Sequence, residues 1–370
     1  MKSNLISHDN DKLFTQNNLS VDQVLLEPVS GILSSRNEAD VNSTIIYNSP
    51  MDTIANDLLG EKLLSTDQAY LTCSFFSNKD RLLSLDKFYN KPNFWFTVDD
   101  SLDDFDLLEA WWYQKQHLIK NRVRLNISLD VPYGDTNSMI DLYKKYRAAP
   151  WVNHIMSGPI ATSVSAYNVY CAGCSHLRIG LGTGSRATTS TLTGCGVPNL
   201  SAVYNIYNDF QLLNLKTNPV LIADGDPENP GDITKYLSAG ASAVMLGKLL
   251  SKCSESSGWK VNFFKWFINK LTFNAYFKSY FYKYHTGRFS RESQQHSLDT
   301  TFYANEHKTI LKSYFRYSYS DFYTNLILSL SSSLSYLGLT NITQLSPGKV
   351  RFIKVAPSGY KKNSSDLFRI

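Results

Sequence analysis

The chain has 370 residues, 43% of them hydrophobic and 13% aromatic, which is too much apolar content for an intrinsically disordered protein. Its 37 Lys and Arg against 32 Asp and Glu give a net charge of +5, which does not indicate a nucleic-acid-binding protein unless a local basic patch exists. This length allows one large α/β barrel or about two to three smaller domains.

Three further features of the sequence bear on the compartment. No run reaches the roughly 18–20 apolar residues that a transmembrane helix needs. The first residues, MKSNLISHDNDKLF, are polar and carry two Asp, unlike a secretory signal peptide. The five Cys are scattered, as free thiols in a reducing environment would be. We therefore expect a cytoplasmic protein without a transmembrane segment.

Short apolar runs of β type recur along the chain, separated by longer mixed stretches. Eight such runs lie at 45–51, 69–76, 94–99, 123–130, 151–158, 176–182, 219–225 and 243–247. Two of the intervening stretches, 102–120 and 138–148, have helix-like patterns. Strands that alternate with helices predict βαβ units in a parallel sheet, and eight in succession predict the α/β class and a closed (β/α)8 TIM barrel.

A single barrel domain is predicted over residues 21–356, between a polar N-terminal tail at 1–20 and a C-terminal tail at 357–370. One insertion in this domain, 259–291, contains no Asp or Glu and interleaves Lys and Arg with aromatic residues. Cations beside stackable rings suit single-stranded nucleic acid, and the same composition suits an amphipathic helix on a membrane surface. In a third interpretation, the rings pack on the barrel or on a neighbouring subunit while the Lys side chains extend to water.

Polar residues or Gly end several of the predicted strands. These positions are Asp52, Asp130, 180–185, Asp224 with Gly225, and Gly247 with Lys248. In such barrels the functional groups sit at the carboxyl ends of the strands, so the agreement across five strand ends indicates a site there. Each position on its own is also consistent with an ordinary turn residue.

Three stretches, in order along the chain, resemble the IMP dehydrogenase/GMP reductase family. The first combines VLLEP at 24–28, SRNEAD at 35–40 and MDT at 51–53. The second is RIGLGTGSRATTSTLTGCGVPNL at 178–200, close to a family pattern (K/R)VGIGPGSxCTTRxxTGVGxPQL. The third combines IADG at 222–225, GDI at 231–233, AGASAVMLGKLL at 239–250 and SES at 254–256, and a weaker match covers 330–355.

Two details place the resemblance closer to the GMP reductase branch. Only residues 77–93 separate the second predicted strand from the third, which leaves no room for the regulatory domain that the family's IMP dehydrogenases usually carry there. The SRNEAD and SES segments are also more similar to the reductases. In this family, the basic and aromatic insertion takes the position of an enlarged active-site flap.

The resemblance implies a purine nucleoside monophosphate as ligand, NADPH or NAD as cofactor, a potassium ion and a homotetramer. The implied substrate-binding residues are Met51, Ser185, Asp224, Gly225, Gly247 and Lys248, with Asp224 accepting hydrogen bonds from the ribose hydroxyls. The implied cofactor-binding residues are Asp130, Gly134, Gly180 and Gly182, and the potassium ligands are the backbone of Gly182, Gly184 and Ala187. Independently of the family, a Gly-rich turn after a strand presents backbone N–H groups to phosphate oxygens.

The position of the catalytic nucleophile departs from the family pattern. Family members use a Cys thiolate that attacks C2 of the purine before hydride transfer, and the matching residue is Ala187, whose methyl group cannot attack. Thr189 matches the family's acid–base Thr. Glu292 is a weak match for the Glu that assists the departing amino group in the reductases, because the spacing is one residue too long; a solvated charge is the alternative.

The remaining thiols do not replace the missing one in an obvious way. Cys195 would serve only if the loop were rebuilt, and otherwise reads as a small packing residue. Cys171 and Cys174 form a CxxC without a second pair, so we expect no zinc site.

Two charges near the implied phosphate site also depart from the family. Asp226 stands where the family has Gly, and Lys248 stands where it has Ser or Gly. A carboxylate repels a phosphate dianion, whereas an ammonium attracts it. Either the two charges compensate each other, or the phosphate site is lost and both are surface charges.

Three functions therefore remain open. The first is a GMP reductase-like protein that binds a purine nucleoside monophosphate, an NADPH-linked oxidoreductase of the GMP-to-IMP type that lacks the usual thiol. The second is a catalytically inactive family member that acts as a nucleotide-binding or scaffold subunit. The third is a barrel repurposed for another purine or nucleic-acid modification, with segment 259–291 binding nucleic acid.

Overall fold

The computed structural model describes residues 2–29, 31, 33–43, 45–49, 58–66, 69–75, 78–115, 124–131, 133–181, 189–225, 227–256, 259–260, 282–285, 311–314 and 317–355. Its strands are β1 (Val24–Leu26), β2 (Ile46–Asn48), β3 (Ala69–Ser74), β4 (Phe94–Val98), β5 (Leu125–Asp130), β6 (Val152–Ile160), β7 (His176–Ile179), β8 (Val220–Ala223), β9 (Ala243–Leu246), β10 (Trp259–Lys260), β11 (Tyr282–His285), β12 (Leu311–Tyr314) and β13 (Phe352–Lys354).

Strands β2 to β9 form a closed parallel barrel. Each pairs with its neighbour in sequence, and β9 pairs back with β2 through Met245 opposite Tyr47. Each of the eight predicted β runs contributes one of these strands. The predicted (β/α)8 fold is therefore confirmed.

Helices connect the strands and cover the outside of the barrel. They are α1 (Lys2–Gln16), α2 (Leu58–Leu64), α3 (Lys79–Ser84), α4 (Leu102–Lys115), α5 (Asn137–Ala148), α6 (Ser163–Cys171), α7 (Thr189–Thr193), α8 (Asn199–Leu212), α9 (Pro230–Ser238), α10 (Lys248–Ser251) and α11 (Tyr319–Tyr336). Capping side chains set several of the starts: Thr136 accepts from the Met139 N–H before α5, and Thr162 accepts from the Ser165 N–H before α6.

Alternation along the strands separates two apolar regions. On β4, Phe94 and Phe96 belong to the large core between the strands and the helices, while Trp95 belongs to a smaller cluster inside the barrel. Other members of the inner cluster are Tyr47, Met156, Ile222, Ala243 and Met245. Aromatic, sulfur-containing and aliphatic side chains therefore pack together inside the barrel.

The predicted polar N-terminal tail, residues 1–20, contains a helix that packs on the barrel. Residues 2–16 form α1, whose Phe14 is buried and stacks on Tyr204 of α8 with ring centroids 4.0 Å apart. The buried Asn10 donates from Nδ2 to the carbonyl oxygens of Pro347 (2.8 Å) and Val350 (2.7 Å). A few inward-facing residues thus anchor a largely polar helix, too few to give an apolar periodicity.

The segment 259–291 is described only at its short strands. β10, β11 and β12 form a three-stranded antiparallel sheet, and the other residues of this segment, like the predicted tail 357–370, lie outside the described part of the chain. Across the described residues, none of the helices combines the length and the apolar content that a membrane crossing requires.

Candidate functional site

Two of the predicted site carboxylates meet at one buried cation. Arg178, on the inner face of β7, donates from Nη1 and from Nη2 to the same oxygen, Oδ1 of Asp130, both at 3.0 Å. Its Nε lies 3.2 Å from Oδ2 of Asp224. Asp130 is the last residue of β5 and Asp224 directly follows β8. The structure therefore brings the predicted cofactor-side and ribose-side carboxylates together at the carboxyl end of the barrel.

The two carboxylates are held differently by Arg178. Asp130 accepts two hydrogen bonds and its side chain is 15% exposed, whereas Asp224 is 26% exposed and forms an ion pair in which the Nε–H lacks hydrogen-bond geometry. Burial alone would lower the pKa of the Arg178 guanidinium, but Asp130 and Asp224 outweigh that effect, and the net direction is upward. The guanidinium is a permanent charge that leaves Asp224 able to accept further hydrogen bonds.

Glycine is required at two positions where β7 and β8 end. At Gly180, which has a φ of +151°, an added Cβ would lie 2.1 Å from the carbonyl oxygen of Asp224. At Gly225, an added Cβ would lie 2.0 Å from the amide group of Asn199. Both predicted site glycines are thus places of close backbone approach, which fixes the positions of their neighbours.

Asn199, the first residue of α8, was not among the predicted site residues. Its side chain is buried, and with its amide oriented so that both ends are satisfied, Nδ2 donates to the Ile179 carbonyl (2.9 Å) and Oδ1 accepts from the Gly225 N–H (3.1 Å). The side chain therefore joins the ends of β7 and β8. The signal in the sequence was PNL at the family's PQL, since both residues carry an amide.

Gly134 lies in the loop that follows β5. Its carbonyl accepts a hydrogen bond from the hydroxyl of the buried Tyr143 at 2.8 Å, and Tyr143 also contacts Ser157 Oγ. Burial raises the pKa of Tyr143 above its usual range, so this hydroxyl stays a neutral donor. Gly134 is itself buried, and its N–H donates to the Pro159 carbonyl of β6 at 3.2 Å.

The end of β9 presents the other two described substrate-site candidates. A Cβ at Gly247 would meet only Ser49, at 3.6 Å, among the described residues, so packing there does not require glycine. Lys248 begins α10 and pairs with Glu228, Nζ to Oε1 at 2.5 Å. Asp226, the partner predicted for Lys248, lies outside the described residues.

Thr189 is the one described member of the predicted catalytic set. It begins α7 and its side chain is half-buried. Cys195 follows that helix and is exposed, with its N–H donating to Thr193 Oγ1 at 3.1 Å. The other predicted positions lie outside the described residues: Met51, Gly182, Gly184, Ser185, Ala187 and Glu292.

No group of three or more His, Cys, Asp or Glu that could hold a metal ion occurs in the described part of the chain. The CxxC cysteines differ in environment, because Cys171 is exposed and Cys174 is buried. Burial raises the pKa of the Cys174 thiol, which makes it a poor source of thiolate.

Comparison with known proteins gives one family match. The model of the IMP dehydrogenase/GMP reductase domain matches residues 108–365. Similar proteins include an inosine-5'-monophosphate dehydrogenase of Borreliella burgdorferi, 28% identical over 278 residues (72% of this chain and 63% of that protein). Others are an inosine-5'-monophosphate dehydrogenase of Bacillus subtilis, 34% identical over 143 residues (38% and 28%), and a GMP reductase of Leishmania donovani, 38% identical over 132 residues (35% and 26%). The matched stretches thus span less than two thirds of the length of these relatives.

Proposed function

The chain belongs to the IMP dehydrogenase/GMP reductase family, and from that premise we propose that its barrel binds a purine nucleoside monophosphate beside a nicotinamide dinucleotide. The observation that carries the proposal is the convergence of Asp130 and Asp224 on Arg178 at the carboxyl ends of the strands. That end of a (β/α)8 barrel is where ligands bind.

On the nucleotide side, Asp224 accepts hydrogen bonds from the two ribose hydroxyls, to which its 26% exposed side chain gives access. The phosphate lies between the ends of β8 and β9, near Gly225 and Gly247, with Ser185 as a further donor. Lys248 supplies a point charge at this end, shared with Glu228. Met51 completes the predicted set.

On the cofactor side, the donor set suits a dinucleotide that presents ribose hydroxyls. Asp130 offers the carboxylate, held in place by the two hydrogen bonds from Arg178. Gly180 and Gly182 are the predicted backbone contacts of the dinucleotide. A bound nicotinamide would supply hydride transfer, and NADPH is the form that the reductase branch implies. The potassium ligands and the homotetramer stay predictions.

Catalysis is the part of the proposal in which this chain differs from its family. Ala187 offers no thiol, so the covalent step of the GMP-to-IMP reaction has no nucleophile at that position. Thr189 remains as an acid–base group and Glu292 as a weak second one. We therefore propose a nucleotide-binding family member with little or no turnover, which includes the alternative of an inactive binding or scaffold subunit.

A thermal-shift titration with GMP, IMP and NADPH, followed by a turnover assay, tests this proposal. Ligands that bind the folded state raise the unfolding midpoint by mass action. We expect shifts with IMP or GMP and with NADPH, and no measurable GMP reduction. Absence of a shift with every nucleotide would contradict nucleotide binding, and ordinary turnover would contradict the loss of catalysis.

A further inference from the structure

We propose that Arg178 is a positioning residue that couples the nucleotide side of the site to the cofactor side, so that each ligand binds more tightly when the other is present. This inference rests on the proposed function, because it takes Asp224 and Asp130 as the carboxylates that the two ligands contact. The new element is that one side chain, Arg178, couples the binding free energies of the two ligands.

The geometry of the Arg178 side chain links the two carboxylates, in addition to its charge. A guanidinium is planar and rigid, and its donors stand in a fixed fork. Arg178 uses Nη1 and Nη2 on Asp130 and presents Nε to Asp224, so the orientation of one carboxylate restricts the orientation of the other. A ligand that fixes Asp224 therefore restricts the guanidinium through the ion pair at Nε, and with it Asp130.

The backbone around Arg178 allows little relaxation. A Cβ on Gly158 of β6 would lie 2.4 Å from Arg178 Cβ and 2.5 Å from its carbonyl oxygen. On the other side, the Asp224 N–H donates to the Ile179 carbonyl at 2.8 Å. Strands β6, β7 and β8 thus hold the two backbones in close contact, and the remaining freedom lies in the side chains of Arg178 and the two carboxylates.

That remaining freedom is what the first ligand removes. Ordering a side chain on binding costs free energy, and a second ligand that meets an ordered partner does not bear this cost again. Asp224 is the more exposed of the two carboxylates, at 26% against 15%, so it has the most order to gain. The coupling is therefore expected to be positive, and by linkage it is equal in both directions.

A role in stability alone does not account for this arrangement. A buried ion pair adds little stability compared with apolar side chains of the same volume, and the neighbouring inner positions Met156 and Ile222 are apolar. The chain places its buried guanidinium only two residues above His176, at the level where the predicted ligand contacts begin. Position at the site, rather than packing, distinguishes Arg178.

The experiment is a pair of calorimetric titrations of IMP, one without and one with saturating NADPH, in the wild type, Arg178→Lys and Lys235→Met. IMP with NADPH is used because product and reduced cofactor cannot react whatever the activity of the chain. Arg178→Lys keeps the positive charge between the carboxylates but loses the fork. Lys235→Met is the matched control, since Lys235 is an equally buried cation that pairs with Asp232 in α9.

We expect the Kd of IMP to fall by about 5-fold or more with NADPH in the wild type, the lower end of typical coupling between sites. The same ratio should hold in Lys235→Met even if its unfolding midpoint drops, and should approach 1 in Arg178→Lys. The reverse titration of NADPH should give the same factor.

Two results would overturn the inference while leaving the proposed function standing: IMP and NADPH that bind the wild type independently, or an Arg178→Lys variant that keeps the full ratio. Wild-type protein that binds neither ligand would overturn the proposed function and the coupling together.

Discussion

Two basic residues stand two positions apart on β7, and the barrel treats them in opposite ways. His176 packs against Trp95, with ring centroids 4.7 Å apart, and burial together with the neighbouring His154 lowers the pKa of His176 to about 3. Arg178 is buried to a similar extent, yet Asp130 and Asp224 keep it charged. The layer of inner side chains around His176 is therefore neutral at physiological pH, and the layer around Arg178 is ionic. These are called the neutral level and the ionic level below.

The difference shows where this barrel keeps its charges. At the amino-terminal level, Ser175 Oγ contacts Nδ1 of His176 (2.9 Å) and Nδ1 of His154 (3.3 Å), so the polar atoms satisfy one another without ionisation. At the carboxyl end, two carboxylates and one guanidinium are held together despite the cost of removing charges from water. Of the two basic side chains compared on β7, the charged one, Arg178, therefore lies towards the end where the ligands are proposed to bind.

The largest expected effect concerns turnover at the charged end. Without a thiol at position 187, GMP reduction should run at least about 10³-fold below that of a competent enzyme, the scale of losing a catalytic group. The Ala187→Cys variant should restore measurable NADPH oxidation in the presence of GMP if the acid–base groups are in place. Intact-mass analysis of the wild type with GMP should show no adduct, and an adduct on Cys195 would instead indicate a rebuilt loop.

The next effect is the loss of folding stability when the basic residue of each level, Arg178 or His176, is replaced. Arg178→Met leaves Asp130 and Asp224 facing each other without a counter-charge and should lower the free energy of unfolding by about 3–5 kcal/mol. His176→Phe replaces a neutral ring by another ring and should cost less than about 1.5 kcal/mol. Chemical denaturation measures both, and equal losses would mean that the two levels do not differ as described.

The third effect is a pH dependence of the free energy of unfolding that arises from His176. The pKa of His176 is about 3 in the folded protein against about 6.5 in an unfolded chain, so the unfolded state binds the extra proton between these values. Stability should therefore fall as the pH is lowered from about 6.5 towards 3, by up to about 1.4 kcal/mol per pH unit.

His154 acts in the same direction, because burial and the charges of Arg124 and Arg147 lower its pKa as well. Denaturation at several pH values should show a shallower slope in His176→Phe than in the wild type. An unchanged slope would mean that His176 is not kept neutral by the fold.

The smallest effect concerns the exposed charge at the rim of the site. Lys248→Ala should change stability by less than about 1 kcal/mol, as expected for an exposed ion pair. It should weaken IMP binding by roughly 10-fold, which corresponds to about 1.5 kcal/mol, the lower end for a charged hydrogen bond. Glu228→Gln is the matched variant: it removes the competing carboxylate and should leave IMP affinity unchanged or raised. Unchanged IMP affinity in Lys248→Ala would place Lys248 outside the phosphate site.

The strands of the barrel could be predicted from the sequence, whereas the side-chain contacts between the strands could not. Alternation and the spacing of apolar runs predicted all eight strands, because each run is a local signal. The link through Arg178 joins residues 48 positions apart in the chain, and no local pattern records it. An Arg between Leu177 and Ile179 in an apolar run was the available hint, since a buried cation needs a carboxylate partner.

Two other features were missed for related reasons. α1 has few inward-facing apolar residues, so its composition resembles that of a solvated tail. The ion pair between Lys248 and Glu228 is the second, because the sequence drew attention to Asp226 and not to Glu228; Asp226 lies outside the described residues, so its predicted role beside Lys248 stays a prediction. Side-chain partners across loops depend on the turn geometry, which the residue types alone do not fix.

The most direct test of the nucleotide site is a calorimetric titration of IMP into the wild type, Asp224→Asn and Asp86→Asn. Asp86 lies before β4, at the amino-terminal side of the barrel. Its carboxylate has an exposure similar to that of Asp224 and pairs with Lys115 of α4. We expect Asp224→Asn to weaken IMP binding by roughly 5- to 150-fold, the equivalent of about 1–3 kcal/mol, and Asp86→Asn to leave it unchanged. Equal IMP affinity in Asp224→Asn and the wild type would mean that Asp224 does not bind the nucleotide.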